Sequence, residues 1–264
     1  LQILNMLEGD DLVGLGHNSA AYLHLLAESM KLAYADRSQY LGDPDFGNVP
    51  AAELTDKAYS ARQRKQIEPG RATPSAGILP GSQLHPESRD TTHYSVADAR
   101  GNMVSNTYTL NASFGSAITV PGTGMLLNNE MGDFAARPGL PNMFGLVQGE
   151  LNSIEGGKRP LSSMSPTIVF RDGQPWLATG SPGGSRIITT VVQTLLNAMA
   201  FDMNVATAGV NARIHHQWTP DEILAEDGIS PDTARLLEQM GHKVVLGGRT
   251  IGRTPSIMIE DGWL

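Results

Sequence analysis

Hydrophobic and polar residues are interspersed in two short runs that a turn separates, near residues 90–109. Residues 90–97 (DTTHYSVA) and 102–109 (NMVSNTYT) are rich in β-branched and aromatic residues, and residues 98–101 supply the turn. This pattern predicts a β-hairpin. With a three-residue loop at residues 99–101, Thr91 faces Thr109, and both hydroxyls project from one face because strand side chains alternate. A two-residue loop would break this register.

The chain upstream of the hairpin is helical at first and then irregular. A helix capped by Asn18 or Ser19 is predicted to continue to about Tyr40, and a second to cover about residues 55–67. Proline and glycine then recur through residues 69–86, which indicates an exposed connector. Because this connector ends just ahead of the hairpin, it is where we expect the chain to be open to cleavage.

Downstream, a second hairpin signal covers residues 166–179 and leads through Gly183 and Gly184 into a predicted buried helix over about residues 185–201. Strands and helices come in separate blocks, and hairpins join the strands. This order favours an α+β fold of antiparallel sheets covered by helices. The remaining predicted elements are helices beginning after Asn204 and Ser230 and strands near residues 214–218, 244–246 and 256–259.

Composition limits the classes of function. The 264 residues, 40% of them hydrophobic, suffice for one large domain or two small ones. A formal net charge of −8 without a basic stripe argues against a nucleic-acid partner, because phosphate binding needs clustered Lys and Arg. The lack of cysteine excludes a disulfide framework, a thiolate nucleophile and cysteine-ligated zinc, and it is compatible with an oxidising or a reducing compartment.

Thr91 is the first candidate for chemistry. Threonine is common in strands, so on its own it favours a structural role. It becomes interesting if the bond between Asp90 and Thr91 is cut, because the new α-amine, with an ordinary pKa of about 7.7 to 8.0, can then serve as the base for the hydroxyl of the same residue. Gly183 and Gly184 precede a helix, where N–H groups can hold an oxyanion, although a tight turn that needs glycine explains them equally well.

Two polar clusters complete the candidates. Ser162 and Ser163 supply hydroxyl donors for a carboxylate, and Glu130 and Asp133 supply carboxylates for an ammonium. Taken singly, each cluster is better explained by loop residues that bond their own backbone or face water. Together they match the needs of a zwitterionic amino-acid group. The His215-His216 pair points to opposite faces of a strand, so we expect structural histidines and no shared metal.

Several segments, in order along the chain, resemble the γ-glutamyltranspeptidase family. Upstream, residues 34–38 (YADRS) and 40–46 (YLGDPDF) resemble the end of that family's large subunit. The match is specific, and it covers nearly the whole chain. The remaining matching segments are residues 91–96 (TTHYSV), 107–111 (TYTLN), 126–134 (LLNNEMGDF), 158–167 (KRPLSSMSPT) and 180–188 (GSPGGSRII).

The resemblance implies a fold and a reaction. The fold is a four-layer αββα sandwich of the N-terminal nucleophile hydrolase type, and the precursor cuts itself between Asp90 and Thr91. Residues 1–90 are then the C-terminal part of the large subunit, and residues 91–264 the small catalytic subunit that begins at the nucleophile. The implied reaction is γ-glutamyl transfer and hydrolysis on glutathione-like donors through a γ-glutamyl-threonine acyl-enzyme, with water, an amino acid or a peptide as the acceptor.

The family's functional residues carry over onto matching positions of this chain. Thr91 is the implied nucleophile, and Thr109 is its hydrogen-bond partner, as the hairpin register predicts independently. The N–H groups of Gly183 and Gly184 are implied to hold the oxyanion. The positions that bind the substrate's α-amino group match Asn111, Glu130 and Asp133, and those that bind its α-carboxylate match Ser162 and Ser163.

Three features depart from the family pattern. The family's large subunit supplies an arginine to the α-carboxylate site from a region upstream of this chain, so no residue here matches it. Phe144 lies in a lid-like loop over residues 138–160 where many members carry tyrosine, which keeps the aromatic cover and loses a hydroxyl contact. Pro255 stands where the family often has glutamine. Because the chain begins at Leu1 without a methionine, we expect it to be an internal fragment of the precursor.

The resemblance also implies a setting and leaves competing functions. The expected partners are a γ-glutamyl donor such as glutathione and the protein's own cleaved large subunit, with no cofactor and no metal, in the periplasm or outside the cell. The alternative activity is that of a cephalosporin (glutaryl) acylase-like amidase. Asp133 disfavours it, because a carboxylate suits an ammonium-bearing glutamyl group better than a glutaryl chain. A third possibility is a binding module that keeps the pocket and never matures.

Overall fold

The computed structural model describes residues 1–78, 91–247 and 250–260. The chain divides into two compact units that interleave along the sequence, the first made of residues 1–87, 131–162 and 212–249, and the second of residues 88–130, 163–211 and 250–264. The end of the predicted connector, including Asp90, lies outside the described residues. The predicted subunits, residues 1–90 and 91–264, depend on cleavage of the chain and differ from these two units. They stay a prediction.

The predicted helices and strands occur in the predicted order. The helices are α1 (Gln2–Leu7), α2 (Leu12–Leu15), α3 (Ala20–Tyr40), α4 (Ala51–Leu54), α5 (Lys57–Arg64), α6 (Ile187–Met199), α7 (Val205–Val210) and α8 (Pro231–Gln239). The strands are β1 (Thr92–Ala97), β2 (Met103–Tyr108), β3 (Thr167–Arg171), β4 (Gln174–Thr179), β5 (Ile214–His215), β6 (Ile223–Ala225), β7 (Val244–Leu246) and β8 (Ile257–Met258). The described residues thus also form α1, α2, α4 and β6, which the sequence analysis does not predict.

Side-chain caps mark the starts of several helices. The hydroxyl of Ser19 accepts a hydrogen bond from the Tyr22 amide at 3.1 Å, which confirms one of the two predicted caps of α3. The second upstream helix is shorter than predicted. Asp56 caps it by accepting from the Tyr59 amide at 2.8 Å, whereas the hydroxyl of Thr55 bonds back to α4. The predicted caps Asn204 and Ser230 are also present at α7 and α8.

The sheet of the first unit holds the one departure from antiparallel pairing among the described strands. It has the order β5-β6-β7, in which β5 and β6 are antiparallel and β6 and β7 are parallel. The parallel pair arises because α8 lies between β6 and β7 in the chain and returns the strand in the same direction. Residues 223–225, which form β6, are too short a run to give a strand signal in the sequence.

Helix α3 is buried on nearly all its faces and carries charged residues in its core. Lys31 is 1% exposed; its Nζ donates to Glu28 Oε1 at 2.7 Å and lies 3.4 Å from Asp221 Oδ1. A buried ammonium needs such partners, because its desolvation is costly. Within residues 1–78, 91–247 and 250–260, no helix combines the length with the apolar character that a bilayer crossing requires.

A histidine pair lies beside this charge cluster. His24 Nδ1 and His242 Nε2 are 2.8 Å apart, and both rings are buried. Burial, followed by the nearby charges of His24, Lys31 and His216, lowers the pKa of His242 from 6.5 to about 3. The folded protein therefore holds this imidazole neutral over a pH range in which the unfolded chain protonates it.

We predict that His242 makes folding sensitive to acid. Between pH 6.5 and about pH 3, the unfolded chain binds a proton at this residue and the folded protein does not, so stability is lost as pH falls through this range. The neutral substitution His242→Gln removes this contribution, although it also costs a buried contact. The free energy of unfolding, measured by denaturant titration between about pH 4 and pH 7, should fall less steeply in the variant. Equal slopes for the two proteins would contradict the prediction.

Candidate active site

The first hairpin has the predicted register. Thr92 pairs with Tyr108, and Ala97 with Met103. The Asp98 amide donates to the Asn102 carbonyl at 3.0 Å, which leaves a three-residue loop. Gly101 in that loop has φ +83°, a value that glycine adopts without strain. This register confirms that residues 91 and 109 lie opposite each other at the open end of the hairpin.

The two threonine hydroxyls meet on one face. Thr91 Oγ1 and Thr109 Oγ1 are 3.4 Å apart, and both residues are half-buried. The Thr109 hydroxyl also accepts a hydrogen bond from the Asn111 amide at 2.8 Å, which fixes its orientation. Thr109 is thus placed to orient the hydroxyl of Thr91.

Asn111 occupies a strained and buried position just after β2. Its φ is +76°, and its side chain is 3% exposed. Its Nδ2 donates to the Asn129 carbonyl at 3.0 Å, and the Asn129 side chain accepts from the Ala112 amide at 2.9 Å. These bonds join the end of the hairpin to the segment that leads to Glu130, whose own amide donates to Asn128 Oδ1 at 3.0 Å.

The predicted glycine turn follows β4. Gly183 and Gly184 have φ values of +134° and +57°, and a 3-10 turn over Gly184–Arg186 leads into α6. A side chain at residue 183 would place its Cβ 3.2 Å from the Ile251 carbonyl oxygen. The backbone conformation therefore favours glycine at residue 183, and the Ile251 carbonyl leaves only a tight space for a side chain there.

The segment around Ile251 packs directly on this turn. The Arg253 amide donates to Ser181 Oγ at 3.2 Å. A Cβ on Gly252 would lie 2.4 Å from Thr190 Oγ1 and 2.7 Å from Ser181 Oγ. Close backbone approach thus fixes residues 251–253 beside the turn.

A cavity of about 620 Å³ joins these features within the second unit. Its walls include Thr91, Thr109, Gly183 and, from the other elements, Arg186 and Arg253. This volume lies within the range of about 300 to 1,000 Å³ that small-molecule sites occupy. The structure therefore brings the predicted nucleophile, its partner and one predicted oxyanion glycine to one cavity. Gly184 is not among the lining residues, although it begins the adjoining turn.

The other predicted substrate contacts are divided between the units. Glu130 and Ser163 belong to the second unit, and the Ser163 carbonyl accepts a hydrogen bond from Ser165 at 3.0 Å. Asp133 and Ser162 belong to the first unit. The joint action of these four residues at one substrate stays a prediction.

In the first unit, an arginine that the sequence analysis did not single out links two of the predicted contacts. Arg37 is 6% exposed, and its Nη2 donates to the Ser162 carbonyl at 3.4 Å. Burial lowers the pKa of Arg37, and Tyr34 and Asp133 oppose this effect. Arg37 lies within the matching segment of residues 34–38, which was the available signal.

Two family departures can be placed. Phe144 is 6% exposed in the first unit, where its carbonyl accepts a hydrogen bond from the Gln217 side chain at 3.3 Å. The Pro255 carbonyl accepts from Ser95 Oγ of β1 at 2.9 Å. Since this contact uses only the main chain of residue 255, the proline does not prevent it.

His215, which ends β5, and the adjacent His216 are both buried and have separate partners. His215 Nε2 lies 2.9 Å from Gln217 Oε1, and His216 Nε2 lies 3.3 Å from Asp221 Oδ1. Burial lowers the pKa of His216, and its hydrogen bond to Asp221 opposes this. Hydrogen bonds within the first unit thus account for both rings.

Comparison with known proteins shows which family this chain belongs to. The chain matches the family model described as gamma-glutamyltranspeptidase over residues 1–263, and it belongs to that family. The glutathione hydrolase proenzyme of Escherichia coli (strain K12) is 54% identical over 265 residues, which cover 100% of this chain and 46% of that protein. The acylase ACY 1 proenzyme of Pseudomonas sp. (strain SE83) is 40% identical, with coverages of 100% and 44%.

A solved structure supports the fold. The cephalosporin acylase from Bacillus halodurans matches with a TM-score of 0.79 at 26% identity, covering 96% of this chain and 43% of that chain. This likeness confirms the predicted α+β fold of the N-terminal nucleophile hydrolase type. The chain spans about half the length of the curated relatives it matches.

We predict that Gly183→Ala damages the cavity more than its backbone strain alone would. The variant places a methyl group 3.2 Å from the Ile251 carbonyl oxygen, so the turn or residue 251 must adjust by a few tenths of an ångström. Gly122→Ala is the matched control, because Gly122 also has a positive φ, +80°, with nothing within 4 Å of an added Cβ. Gly122→Ala should lose about 1 kcal/mol of stability in thermal unfolding and Gly183→Ala more than that, but only Gly183→Ala should lower the catalytic rate, by about 100-fold. Equal catalytic rates in the two variants would contradict a catalytic role for the Gly183-Gly184 turn.

Proposed function

We propose that this protein transfers and hydrolyses γ-glutamyl groups with Thr91 as the nucleophile. The observation that carries the proposal is the pair of hydroxyls of Thr91 and Thr109, 3.4 Å apart at a cavity that Gly183 also lines. It occurs in a chain that is 54% identical to a glutathione hydrolase proenzyme. Glutathione-like compounds are the proposed donors.

The proposed chemistry uses one residue as nucleophile and base. Thr91 Oγ1 attacks the γ-glutamyl carbonyl carbon, and its proton passes to the α-amine of the same residue. That proton then moves to the departing amine as the carbon–nitrogen bond breaks, which leaves a γ-glutamyl ester on Thr91. Water, or the amine of an amino acid or peptide, attacks this ester and returns the hydroxyl.

The surrounding residues receive supporting roles in this proposal. Thr109 orients the Thr91 hydroxyl, and N–H groups of the Gly183-Gly184 turn stabilise the oxyanion. We propose that Asn111, Glu130 and Asp133 bind the α-amino group of the donor, whereas Ser162 and Ser163 bind its α-carboxylate. Each assignment pairs a charged substrate group with residues of suitable hydrogen-bonding type.

The free α-amine requires cleavage of the bond between Asp90 and Thr91. We propose that the precursor makes this cut itself, which is supported by the proenzyme names of its relatives. Residues 1–90 then belong to the large subunit, which stays as the partner of residues 91–264. A periplasmic or extracellular location remains part of the proposal.

We predict that Thr91→Ala leaves a single uncut chain with no turnover, because one hydroxyl serves both cleavage and acyl transfer. Thr123→Ala, at an exposed loop threonine, is the control and should mature normally. N-terminal sequencing of the unsubstituted protein should give a second terminus reading Thr-Thr-His-Tyr-Ser. A cut ahead of residue 91 that persists in Thr91→Ala would argue against a shared nucleophile.

An acylase activity is the second candidate, since acylases of 40% and 26% identity are among the similar proteins. We predict faster initial rates on a γ-glutamyl anilide than on a glutaryl amide of the same leaving group. The reason is that Asp133 favours a donor bearing an ammonium group. A preference for the glutaryl amide would replace the proposed function with the acylase. Intact mass that stays at the uncut value after prolonged incubation would favour a binding module.

A further inference from the structure

The cavity at Thr91 has a one-sided charge. Its charged lining residues are Arg186 and Arg253, and no carboxylate is among the lining residues that the structure describes. Arg186 is 2% exposed and lies within the 3-10 turn, whereas the side chain of Arg253 is exposed. Arg253 is therefore the cation that an entering ligand meets from solvent.

Hydrogen bonds hold the main chain of Arg253 beside the glycine turn. Its amide donates to Ser181 Oγ at 3.2 Å, and the hydroxyl of the next residue, Thr254, donates to the Gly209 carbonyl at 3.3 Å. On the other side, Gly252 has no room for a side chain against Thr190. These contacts place the main chain that bears the guanidinium at the wall of the cavity.

The side chain of Arg253 is available to bind a ligand. Across the described ranges of the chain, no carboxylate forms an ion pair with it, in contrast to Arg171, which lies 3.6 Å over the Trp176 ring and 4.0 Å from Glu260. An exposed arginine without an acidic partner, at the wall of a cavity that lacks acids, is suited to an anionic ligand group.

A glutathione-like donor has an anionic group that the assigned residues leave unmatched. The γ-glutamyl part carries the α-amino and α-carboxylate groups proposed for the other clusters. The departing dipeptide ends in a second carboxylate. Two extended residues span about 7 Å. This carboxylate therefore lies about 7 Å from the carbonyl carbon that Thr91 attacks.

We propose that Arg253 binds the carboxylate of the departing dipeptide and thereby makes the site prefer peptide-like leaving groups over neutral ones. The inference rests on the proposed function. After the dipeptide has left, an acceptor amino acid or peptide presents its own carboxylate to the same guanidinium. Arg253 is therefore a specificity-determining residue for the leaving group and the acceptor, and not for the γ-glutamyl group.

The test compares two donors that share the γ-glutamyl group. Glutathione has an anionic leaving group, and a γ-glutamyl anilide has a neutral one. In the full-length matured protein, Arg253→Gln should lower kcat/KM for glutathione by about 3- to 10-fold and change the value for the anilide by less than about 2-fold. Arg253→Lys should retain part of the preference, and added salt should weaken it in the unsubstituted protein.

Arg100→Gln is the matched control, because Arg100 is an exposed arginine of the same unit at the hairpin turn and not at the cavity. It should leave both values unchanged. Equal losses on both donors in Arg253→Gln would place the arginine at the γ-glutamyl group and overturn the inference, as would no loss on either. If the unsubstituted protein turns over neither donor, the proposed function fails and the inference falls with it.

Discussion

A single hydroxyl joins the two hairpins that carry the proposed site. Ser105 of β2 donates to the Thr179 carbonyl at 2.8 Å and accepts from the Thr167 amide at 3.0 Å. Because β4 ends at Thr179 and continues into the glycine turn, these bonds help to hold the turn that contains Gly183 beside the hairpin that begins after Thr91. An alanine at residue 105 would leave a main-chain donor and acceptor without this partner, which makes the contact costly to lose.

The sequence predicted the fold best where local rules decide it. The register of the first hairpin follows from alternation along the strands and from turn residues ahead of Gly101, and the cap at Ser230 follows from side-chain chemistry within one turn. Prediction was weaker where distant packing decides. The three-residue strand β6 pairs in parallel with β7 because of the position of α8, and no local pattern encodes that pairing.

The candidate site shows the same contrast between what local sequence predicts and what distant packing decides. The hairpin pattern was enough to bring Thr91 opposite Thr109, and the resemblance pointed to Gly183. Arg253 could not be found in this way, because an isolated arginine in an irregular segment has no periodicity or spacing. Its proposed role depends on the close backbone contacts that place residues 251–253 on the glycine turn. Arg37 belongs to a segment that matches the family, but only the structure shows its contact with Ser162.

The hydrogen bond from Ser95 to the Pro255 carbonyl joins residues that are 160 positions apart in the chain. During synthesis, the hairpin leaves the ribosome long before residues 251–253 exist, so among the described walls of the cavity theirs is added last. If the assembled cavity is what cuts the bond ahead of Thr91, then shortened products of translation stay in one piece. Scission would thus mark those molecules whose synthesis has reached the end of this segment.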